Sequence, residues 1–206
     1  MSFFVDLQVC TNIQNDAIPM LLQGDNVLMA AETGSGKTLA YLIPLINKLV
    51  LTLEEETSSP TFNRSRVRLN SPRAVILVPS RELAQQVFEV VVKLIAYSQV
   101  NAQVVIGGER TQMKLWKPEF QTVDVLVATP GVLSKLLSNG LWNFRRAQTI
   151  VVDEADSLLD DSFSTVVKRI LQKTSIQSGA PGQEDTKDEH TMGCQLILSG
   201  MCFLHF

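Results

Sequence analysis

The stretch that decides the fold is Ala31-Glu32-Thr33-Gly34-Ser35-Gly36-Lys37-Thr38, which directly follows the apolar run Val27-Leu28-Met29-Ala30. The order predicts a strand over 27–30, a glycine loop, and a helix that begins near Gly36. Glycine permits the tight turn in which successive backbone N–H groups converge on an anion, and the helix adds its positive N-terminal end. Lys37 can then reach the β and γ phosphates of a nucleotide, and Thr38 can bind Mg²⁺.

A chance Gly/Ser turn is the alternative interpretation of this loop. From average residue frequencies, a string of the form [Ala/Gly]-x4-Gly-Lys-[Ser/Thr] arises in roughly one of a hundred chains of this length. The first loop position is Ala31 rather than the usual Gly, which weakens the general match. Strand and helix signals on the correct sides favour a phosphate-binding loop.

A second signal follows the apolar run Thr149-Ile150-Val151-Val152, where the chain reads Asp153-Glu154-Ala155-Asp156. A carboxylate at the end of a parallel strand beside the glycine loop can anchor a Mg²⁺ that is shared with the nucleotide. Glu154, one residue further on, can accept a proton from an attacking water. Taken alone, the tetrapeptide is also compatible with the acidic first turn of a helix. The glycine loop upstream favours the metal site.

Together these motifs resemble those of the first RecA-like lobe of a DEAD-box RNA helicase, and further motifs of that family follow in order. Thr11-Asn12-Ile13-Gln14 resembles the adenine-sensing glutamine motif. The run from Pro79 to Gln85 resembles motif Ia, with Ser80 where Thr is commoner. Gly107-Gly108 and Thr129-Pro130-Gly131 resemble two further contacts to the RNA backbone. The resemblance covers about residues 11–200.

The resemblance implies ATP and Mg²⁺ as cofactors, and it implies a role for each matching residue. The residues implied to bind the nucleotide are Thr11, Gln14, Ala31, Glu32, Thr33, Gly34, Ser35, Gly36, Lys37 and Thr38. Thr38 and Asp153 are the implied Mg²⁺ ligands, and Lys37, Asp153 and Glu154 are the implied catalytic residues, with Glu154 deprotonating water. The residues implied to bind RNA are Pro79, Ser80, Arg81, Glu82, Gly107, Gly108, Thr129, Pro130 and Gly131.

The RNA contacts have simpler alternatives. An exposed Arg81 at the start of a helix is common, paired glycines usually mark a turn, and Pro130 suits a first helical position without any ligand. Their occurrence in family order favours RNA binding, through sugar and phosphate contacts that are neutral to sequence. A basic run in the first polar segment, made of Arg64, Arg66, Arg68 and Arg73, is interpreted as a solvated loop.

Alternating strands and helices predict an α/β fold: a mostly parallel sheet with helices on both faces, as in a RecA-like P-loop NTPase lobe that is incomplete at its C-terminus. Strands are predicted at 27–30, 74–78, 103–106, 123–128, 149–152 and 195–199, the last of them central. Helices are predicted at 36–53, 82–98 and 162–173, with another after Gly131 that Asn139-Gly140 closes.

The predicted domain organisation is one lobe over residues 11–200, with surface excursions at 54–73 and 175–192. Residues 1–10 match the family poorly and 201–206 form a divergent tail. We expect no second helicase lobe in this chain, and an unpaired strand edge beside the strand of the glycine loop.

Composition agrees with an ordinary globular lobe. The chain has 206 residues, 45% of them hydrophobic, and a net charge of -3, so no strong global field attracts nucleic acid and any RNA contact needs a local groove. Its three cysteines are predicted to be reduced and buried. No membrane span or transit peptide is visible, and an intracellular location is expected, with mitochondria or nucleus indicated by the resemblance only.

Several positions depart from the family pattern. Cys10 stands where Pro usually precedes the glutamine motif, and Val132 replaces a usual Arg. The family carries a stacking aromatic residue well upstream of its glutamine, and with only thirteen residues before Gln14 we expect that partner to be absent here. The expected Ser-Ala-Thr motif corresponds to Ser199-Gly200-Met201 or to Gly200-Met201-Cys202, neither of which carries its hydroxyl pair.

Three functions are therefore kept. The first is the ATP-binding lobe of an ATP-dependent RNA helicase, which alone turns ATP over poorly because the arginine finger belongs to the second lobe. The second is a catalytically silent module that binds nucleotide or RNA. The third is a P-loop ATPase that acts on DNA. Gln14 together with Asp153-Glu154-Ala155-Asp156 favours the RNA branch over the third.

Overall fold

The computed structural model describes residues 9–58, 69–108, 122–160, 163–174 and 193–201. Within these ranges six strands form one sheet, and all neighbouring strands are parallel. The strands are β1 (Val27–Ala30), β2 (Ala74–Leu77), β3 (Ala102–Val105), β4 (Val125–Ala128), β5 (Thr149–Asp153) and β6 (Gln195–Gly200). The helices are α1 (Asn12–Gln23), α2 (Lys37–Ser58), α3 (Arg81–Leu94), α4 (Pro130–Ser138), α5 (Ala155–Leu158) and α6 (Ser164–Leu171). The predicted fold class is confirmed.

The sheet is covered on both faces, which is why β2 and β4 are apolar throughout and β5 has polar residues only at its two ends. Every residue of β2, β4 and β5 is buried. One hydrophobic cluster lies under α1, α2 and α3, and a second lies under α4, α5 and α6. Parallel strands need such helical crossovers, and burial on both faces favours β-branched and aliphatic residues over an alternating pattern.

The strand order, β1-β6-β5-β2-β4-β3, divides the carboxyl edge of the sheet into two halves. In one half Ala30 pairs with Gly200, and Asp153 pairs with Ser199. In the other half the ends of β2 and β3 flank Ala128 at the end of β4. Ligands of open parallel α/β sheets bind at the carboxyl ends of the strands, so this topology provides two adjacent places for them.

The predicted strands are all present, and β6 lies inside the sheet, between β1 and β5. Within the described ranges, β1 pairs with β6 alone and so forms one end of the sheet. The helix after the glycine loop continues to Ser58, past the predicted Leu53, because glutamates are good helix formers. The helix closed at Asn139-Gly140 ends as predicted, and Gly140 has a φ of 69°.

Two expectations about polar residues were wrong. Arg73 is not part of a solvated loop: it is 4% exposed and pairs with Glu56 and Asp124, because the chain has already entered the core one residue before β2. Cys10 is exposed rather than buried, whereas Cys194 is buried and burial raises its pKa to about 12. Arg64, Arg66, Arg68, Cys202 and the excursion at 175–192 lie outside the described residues. None of the helices in the described ranges is long and apolar enough to cross a bilayer.

Candidate functional site

A cavity of about 410 Å³ lies at the carboxyl ends of β1, β5 and β6 and at the start of α2. It contains the glycine loop and the acidic motif, which are more than a hundred residues apart in sequence. We call it the nucleotide pocket; the residues that line it are Thr33, Gly34, Gly36, Lys37, Thr38, Leu83, Asp153, Glu154, Asp156, Ser157, Gly200 and Met201.

The glycine loop has the conformation that its sequence predicts. Gly34 and Gly36 have φ values of 80° and 94°, in the region that side chains with a Cβ rarely adopt. Lys37 begins α2, and its amine donates to the carbonyls of Ala31 and, at 2.8 Å, Glu32. These bonds hold the cation over the loop, where it can meet the oxygens of a phosphate chain.

Gln14 of the adenine motif is buried against the glycine loop. Its Oε1 accepts from the backbone N–H of Thr11 at 3.0 Å, which closes a capping box at the start of α1. Its Nε2 donates to the carbonyl of Gly36 at 3.2 Å. A Cβ on Gly36 would lie 2.6 Å from that nitrogen, so the two motifs are in direct contact. The amide keeps a second N–H and a second lone pair beyond these two bonds, the pair of groups that an adenine edge requires.

Asp153 is a buried carboxylate at the end of β5. Its Oδ2 accepts from the hydroxyl of Tyr41 at 2.8 Å, and its Oδ1 accepts from the N–H of Glu154 at 3.0 Å. Burial raises the pKa of Tyr41 well above its usual value, and the charge of Asp153 and the bond to it add to the shift, while Thr38 opposes it. The phenol therefore keeps its proton and acts as donor.

Tyr41 belongs to the site, although no motif in the sequence marks it. The available signal was a hydroxyl inside the apolar run of α2, four positions after Lys37. The donor set itself fits Mg²⁺, because this ion prefers oxygen ligands and is commonly bound by one or two carboxylates together with phosphate oxygens and waters. Thr38 and Asp153 both supply such oxygens to the lining of the nucleotide pocket.

Glu154 occupies an unusual backbone position. Its φ is 49°, in the left-handed region, where a residue with a Cβ is strained and where functional sites are over-represented. The residue as a whole is exposed, but partial desolvation of its carboxyl raises the pKa, and Asp153 and Asp156 raise it further while Lys37 lowers it. A carboxylate whose pKa is raised towards neutrality is a better base.

The end of β6 lines the nucleotide pocket beside the glycine loop. The N–H of Met201 donates to Asp156 Oδ2 at 3.1 Å, and the hydroxyl of Thr33 donates to the sulfur of Met201 at 3.4 Å. The hydroxyl of Ser199 is buried and has no hydrogen-bond partner among the described residues. The position where the family pattern expects Ser-Ala-Thr thus contacts both motifs, but through a backbone N–H and a thioether.

A second cavity, of about 510 Å³, lies at the carboxyl ends of β2, β3 and β4. We call it the cleft; the residues that line it are Pro79, Arg81, Gly107, Gly108, Thr129, Pro130, Gly131, Val132, Lys135 and Phe163. Seven of the nine residues implied to bind RNA lie in this lining. Ser80 does not: its Oγ accepts from Leu83 N at 3.1 Å and caps α3. Glu82 is also outside it, in the first turn of α3.

The cleft has a basic and glycine-rich wall. A Cβ on Gly107 would lie 3.1 Å from the Nη2 of Arg81, so glycine lets the guanidinium lie directly on the backbone. The start of α4 faces the cleft with Pro130 at its first position, and a helix N-terminus favours anions. Lys135 and Phe163 were missed by the sequence analysis because neither belongs to a short motif, although both are brought to the cleft by α4 and α6.

A six-stranded parallel sheet with a glycine loop at the carboxyl end of one strand and an acidic motif at the end of another defines a P-loop lobe of the RecA type. Residues 11–194 match the DEAD/DEAH box helicase family, and the chain belongs to that family.

Two similar proteins and one solved structure support the assignment to this family. The chain is 40% identical to the probable ATP-dependent RNA helicase DDX28 of Homo sapiens, over 94% of this chain and 34% of that protein. It is 34% identical to the mitochondrial ATP-dependent RNA helicase cyt-19 of Neurospora crassa, over 78% of this chain and 26% of that protein. The crystal structure of a hypothetical ATP-dependent RNA helicase from Sulfolobus tokodaii matches with a TM-score of 0.67 and 27% identity, over 95% of this chain and 47% of that one. The chain thus spans about a third of the length of the two DDX28 proteins, from Homo sapiens and Mus musculus, that it matches.

Proposed function

We propose that this chain is the ATP-binding lobe of an ATP-dependent RNA helicase, which in the complete enzyme couples the binding and hydrolysis of Mg-ATP to the remodelling of RNA duplexes. The observation that carries the proposal is the nucleotide pocket itself, in which the glycine loop, Lys37, Thr38, Asp153 and Glu154 line one cavity. Membership of the family supports it independently.

Each residue has a role that follows from its position. Backbone N–H groups of Gly34, Ser35 and Gly36 surround the phosphates, and Lys37 neutralises the β and γ phosphates. Mg²⁺, held by Thr38 and Asp153, would neutralise the charge that develops on the transferred phosphoryl group. Glu154 orients the attacking water and accepts its proton. Gln14 uses its remaining donor and acceptor on the adenine edge, and Thr11 holds Gln14 in place.

RNA binds in the cleft through its backbone. Arg81 and the N-terminus of α4 provide positive charge, and the glycines of the Gly107-Gly108 pair leave room for a phosphate to approach the main chain. These groups contact phosphate and sugar rather than base edges, which makes the contacts neutral to sequence.

The relatives named as mitochondrial support a mitochondrial location for the complete protein. Cell fractionation of the tagged protein tests this location.

Binding of Mg-ATP to the chain 1–206 is the first test. We expect calorimetry to detect binding of Mg-ATP. Lys37→Ala should abolish that binding, because the glycine loop then has no cationic side chain to contact the phosphates. Lys135→Ala is the matched control, since it removes a lysine from the cleft instead. Unchanged binding in Lys37→Ala, or no binding by the parent chain, would overturn the proposal.

The hydrolytic step is tested in the complete two-lobe enzyme. There, Glu154→Gln should keep Mg-ATP binding and stall turnover, because the amide accepts no proton from water. Unimpaired hydrolysis in that variant would remove Glu154 from the role of base.

A catalytically silent nucleotide- or RNA-binding module is the second candidate. It is favoured by Met201 and by the hydroxyl of Ser199, which has no hydrogen-bond partner in the part of the chain that the structure describes, where the family pattern expects a hydroxyl pair. We expect the chain 1–206 to show no RNA-stimulated ATPase activity. The two candidates are separated by measuring ATP hydrolysis by the complete enzyme with and without RNA, because a helicase hydrolyses ATP faster with RNA and a silent module does not. A preference for DNA over RNA of the same length would favour a P-loop ATPase that acts on DNA.

A further inference from the structure

Tyr41 is a fully buried tyrosine on the helix that leaves the glycine loop, and its hydroxyl points at the acidic motif. The side chain is 0% exposed and lies among apolar neighbours of the core. The hydroxyl donates to Oδ2 of Asp153 at 2.8 Å, across 112 residues of sequence. A buried hydroxyl without a partner is costly, so this bond explains how a tyrosine is tolerated here. It does not by itself explain why the position carries a hydroxyl at all, since a phenylalanine fills the same space.

The bond fixes the carboxylate that faces the nucleotide pocket. The torsion that orients a carboxylate plane has a broad energy profile, so one contact leaves the plane free to turn. Asp153 has two donors, one for each oxygen: Tyr41 on Oδ2 and the N–H of Glu154 on Oδ1 at 3.0 Å. Two donors in different directions determine the plane, and each oxygen keeps a lone pair for a cation.

Tyr41 also connects the helix that follows the glycine loop to the acidic motif. It lies one helical turn after Lys37 and Thr38, so the backbone that holds the phosphates and the strand that holds the carboxylate are joined through one side chain.

We propose that Tyr41 is a positioning residue for Mg²⁺, which holds the carboxylate of Asp153 in the orientation that binds the ion. The proposal rests on the proposed function, because it takes the pocket to bind a nucleotide with Mg²⁺. Groups that hold a metal ligand in place typically contribute 10- to 100-fold to metal affinity.

The test is a titration of Mg²⁺ in the presence of ADP, on the chain 1–206 and its Tyr41→Phe variant. We expect the Mg²⁺ concentration at half-saturation to rise about 10-fold or more in the variant. Binding of ADP in EDTA should stay unchanged, because the phosphate loop is intact. Thr52→Val is the matched control: it removes a hydroxyl from the same helix, one that donates to the carbonyl of Lys48 at 2.8 Å and faces no ligand.

A second background separates positioning from packing. In Asp153→Asn the charged ligand is already lost, so adding Tyr41→Phe should change the half-saturating Mg²⁺ concentration by less than about twofold, as expected when two residues act through one another. An equal loss in both backgrounds would overturn the proposal, as would an unchanged Mg²⁺ dependence in Tyr41→Phe. Loss of cooperative unfolding in that variant would also overturn it, since the hydroxyl would then serve the fold.

Failure of the proposed function gives a different result. If the parent chain binds ADP neither with Mg²⁺ nor in EDTA, the proposed function fails. If the parent chain responds to Mg²⁺ and Tyr41→Phe responds equally, the inference about Tyr41 fails and the function stands.

Discussion

The amino and carboxyl ends of the strands both carry charged side chains, but the charges have different partners. At the amino edge, the guanidinium of Arg73 binds Glu56 and lies 3.5 Å from Asp124, while Arg146 lies 4.0 Å from the same aspartate. At the carboxyl edge, Lys37 donates to two backbone carbonyls instead of to a carboxylate.

The difference shows how one sheet separates stability from binding. Charges that are paired with each other, as Arg73 is with Glu56 and Asp124, hold adjacent elements in place. A cation whose hydrogen bonds go to backbone carbonyls keeps most of its attraction for an anion, so a phosphate can bind it without breaking a hydrogen-bonded ion pair. We therefore expect substitutions of the paired arginines at the amino edge to lower the free energy of unfolding, and substitutions of the cations at the carboxyl edge to weaken ligand binding.

Arg73→Met is the largest test of this division. Removing one partner from a buried ion pair typically costs 3–5 kcal/mol, and we expect about 3 kcal/mol of unfolding free energy here, because Arg146 stays near Asp124. Urea denaturation measures the change, and calorimetry should find the affinity for Mg-ATP unaltered in the folded variant. The exposed Arg145 at the same edge provides the control Arg145→Met, with an expected change within about 0.5 kcal/mol. A stable Arg73→Met variant with weakened nucleotide binding would reverse the comparison.

Two glycines of the same loop test the carboxyl edge. Gly36→Ala should cost about 2 kcal/mol, since it places a Cβ in the left-handed region and 2.6 Å from Gln14 Nε2. Gly34→Ala has a similar backbone strain but no atom within 4 Å of the new Cβ, so about 1 kcal/mol is expected. Thermal unfolding of the pair isolates the contact between loop and glutamine. Equal losses in the two variants would show that the contact contributes nothing.

The sequence was enough to predict the features that are local. The glycine loop, the strand before it and the helix after it lie within about thirty residues, and their signals are contiguous. The tight glycine turn was therefore expected from the chain alone, and Gly34 and Gly36 have positive φ values in it. The six strands were predicted because apolar runs with turn signals between them are typical of a buried parallel sheet.

The features that sequence reasoning missed are formed by distant residues. The bond between Tyr41 and Asp153 joins positions 112 apart, and no local pattern marks it. Arg73 follows other arginines, and that pattern predicts a solvated loop. In the structure Arg73 is buried against Asp124, which directly precedes β4 and is distant in sequence. Lys135 and Phe163 reach the cleft only because α4 and α6 meet there. The composition of a segment indicates its average exposure, but tertiary contacts decide which of its residues are buried.

Arg81→Ala tests the cleft as a place for phosphates. We expect RNA affinity to fall about tenfold, the loss typical of one charge-assisted hydrogen bond, and the salt dependence of binding to a single strand to weaken by about 0.7 in slope. Arg145→Ala is the control, because it removes an exposed arginine from the amino edge. Fluorescence anisotropy at several salt concentrations measures both quantities. A larger loss in Arg145→Ala than in Arg81→Ala would place RNA on the opposite edge.

The smallest expected effect is the change that Glu154→Gln makes in the pH dependence of the free energy of unfolding. Desolvation and the neighbouring carboxylates of Asp153 and Asp156 raise the pKa of Glu154 above its ordinary value of 4.5, so the folded protein holds this proton more tightly than the unfolded chain does. Stability must then fall as the pH rises from below the ordinary pKa through the raised one, and remain lower above it. The glutamine has no charge to desolvate and escapes this loss.

The free energy of unfolding of Glu154→Gln should therefore match that of the parent chain at pH 4 and exceed it slightly at pH 8. Denaturation curves at both pH values measure the difference. Glu89→Gln removes a negative charge from the exposed surface of α3 and controls for net charge. A gain of the same size in Glu89→Gln would trace the effect to overall charge, whereas a gain confined to Glu154 would show that this carboxylate is held at the carboxyl edge at a cost to the fold.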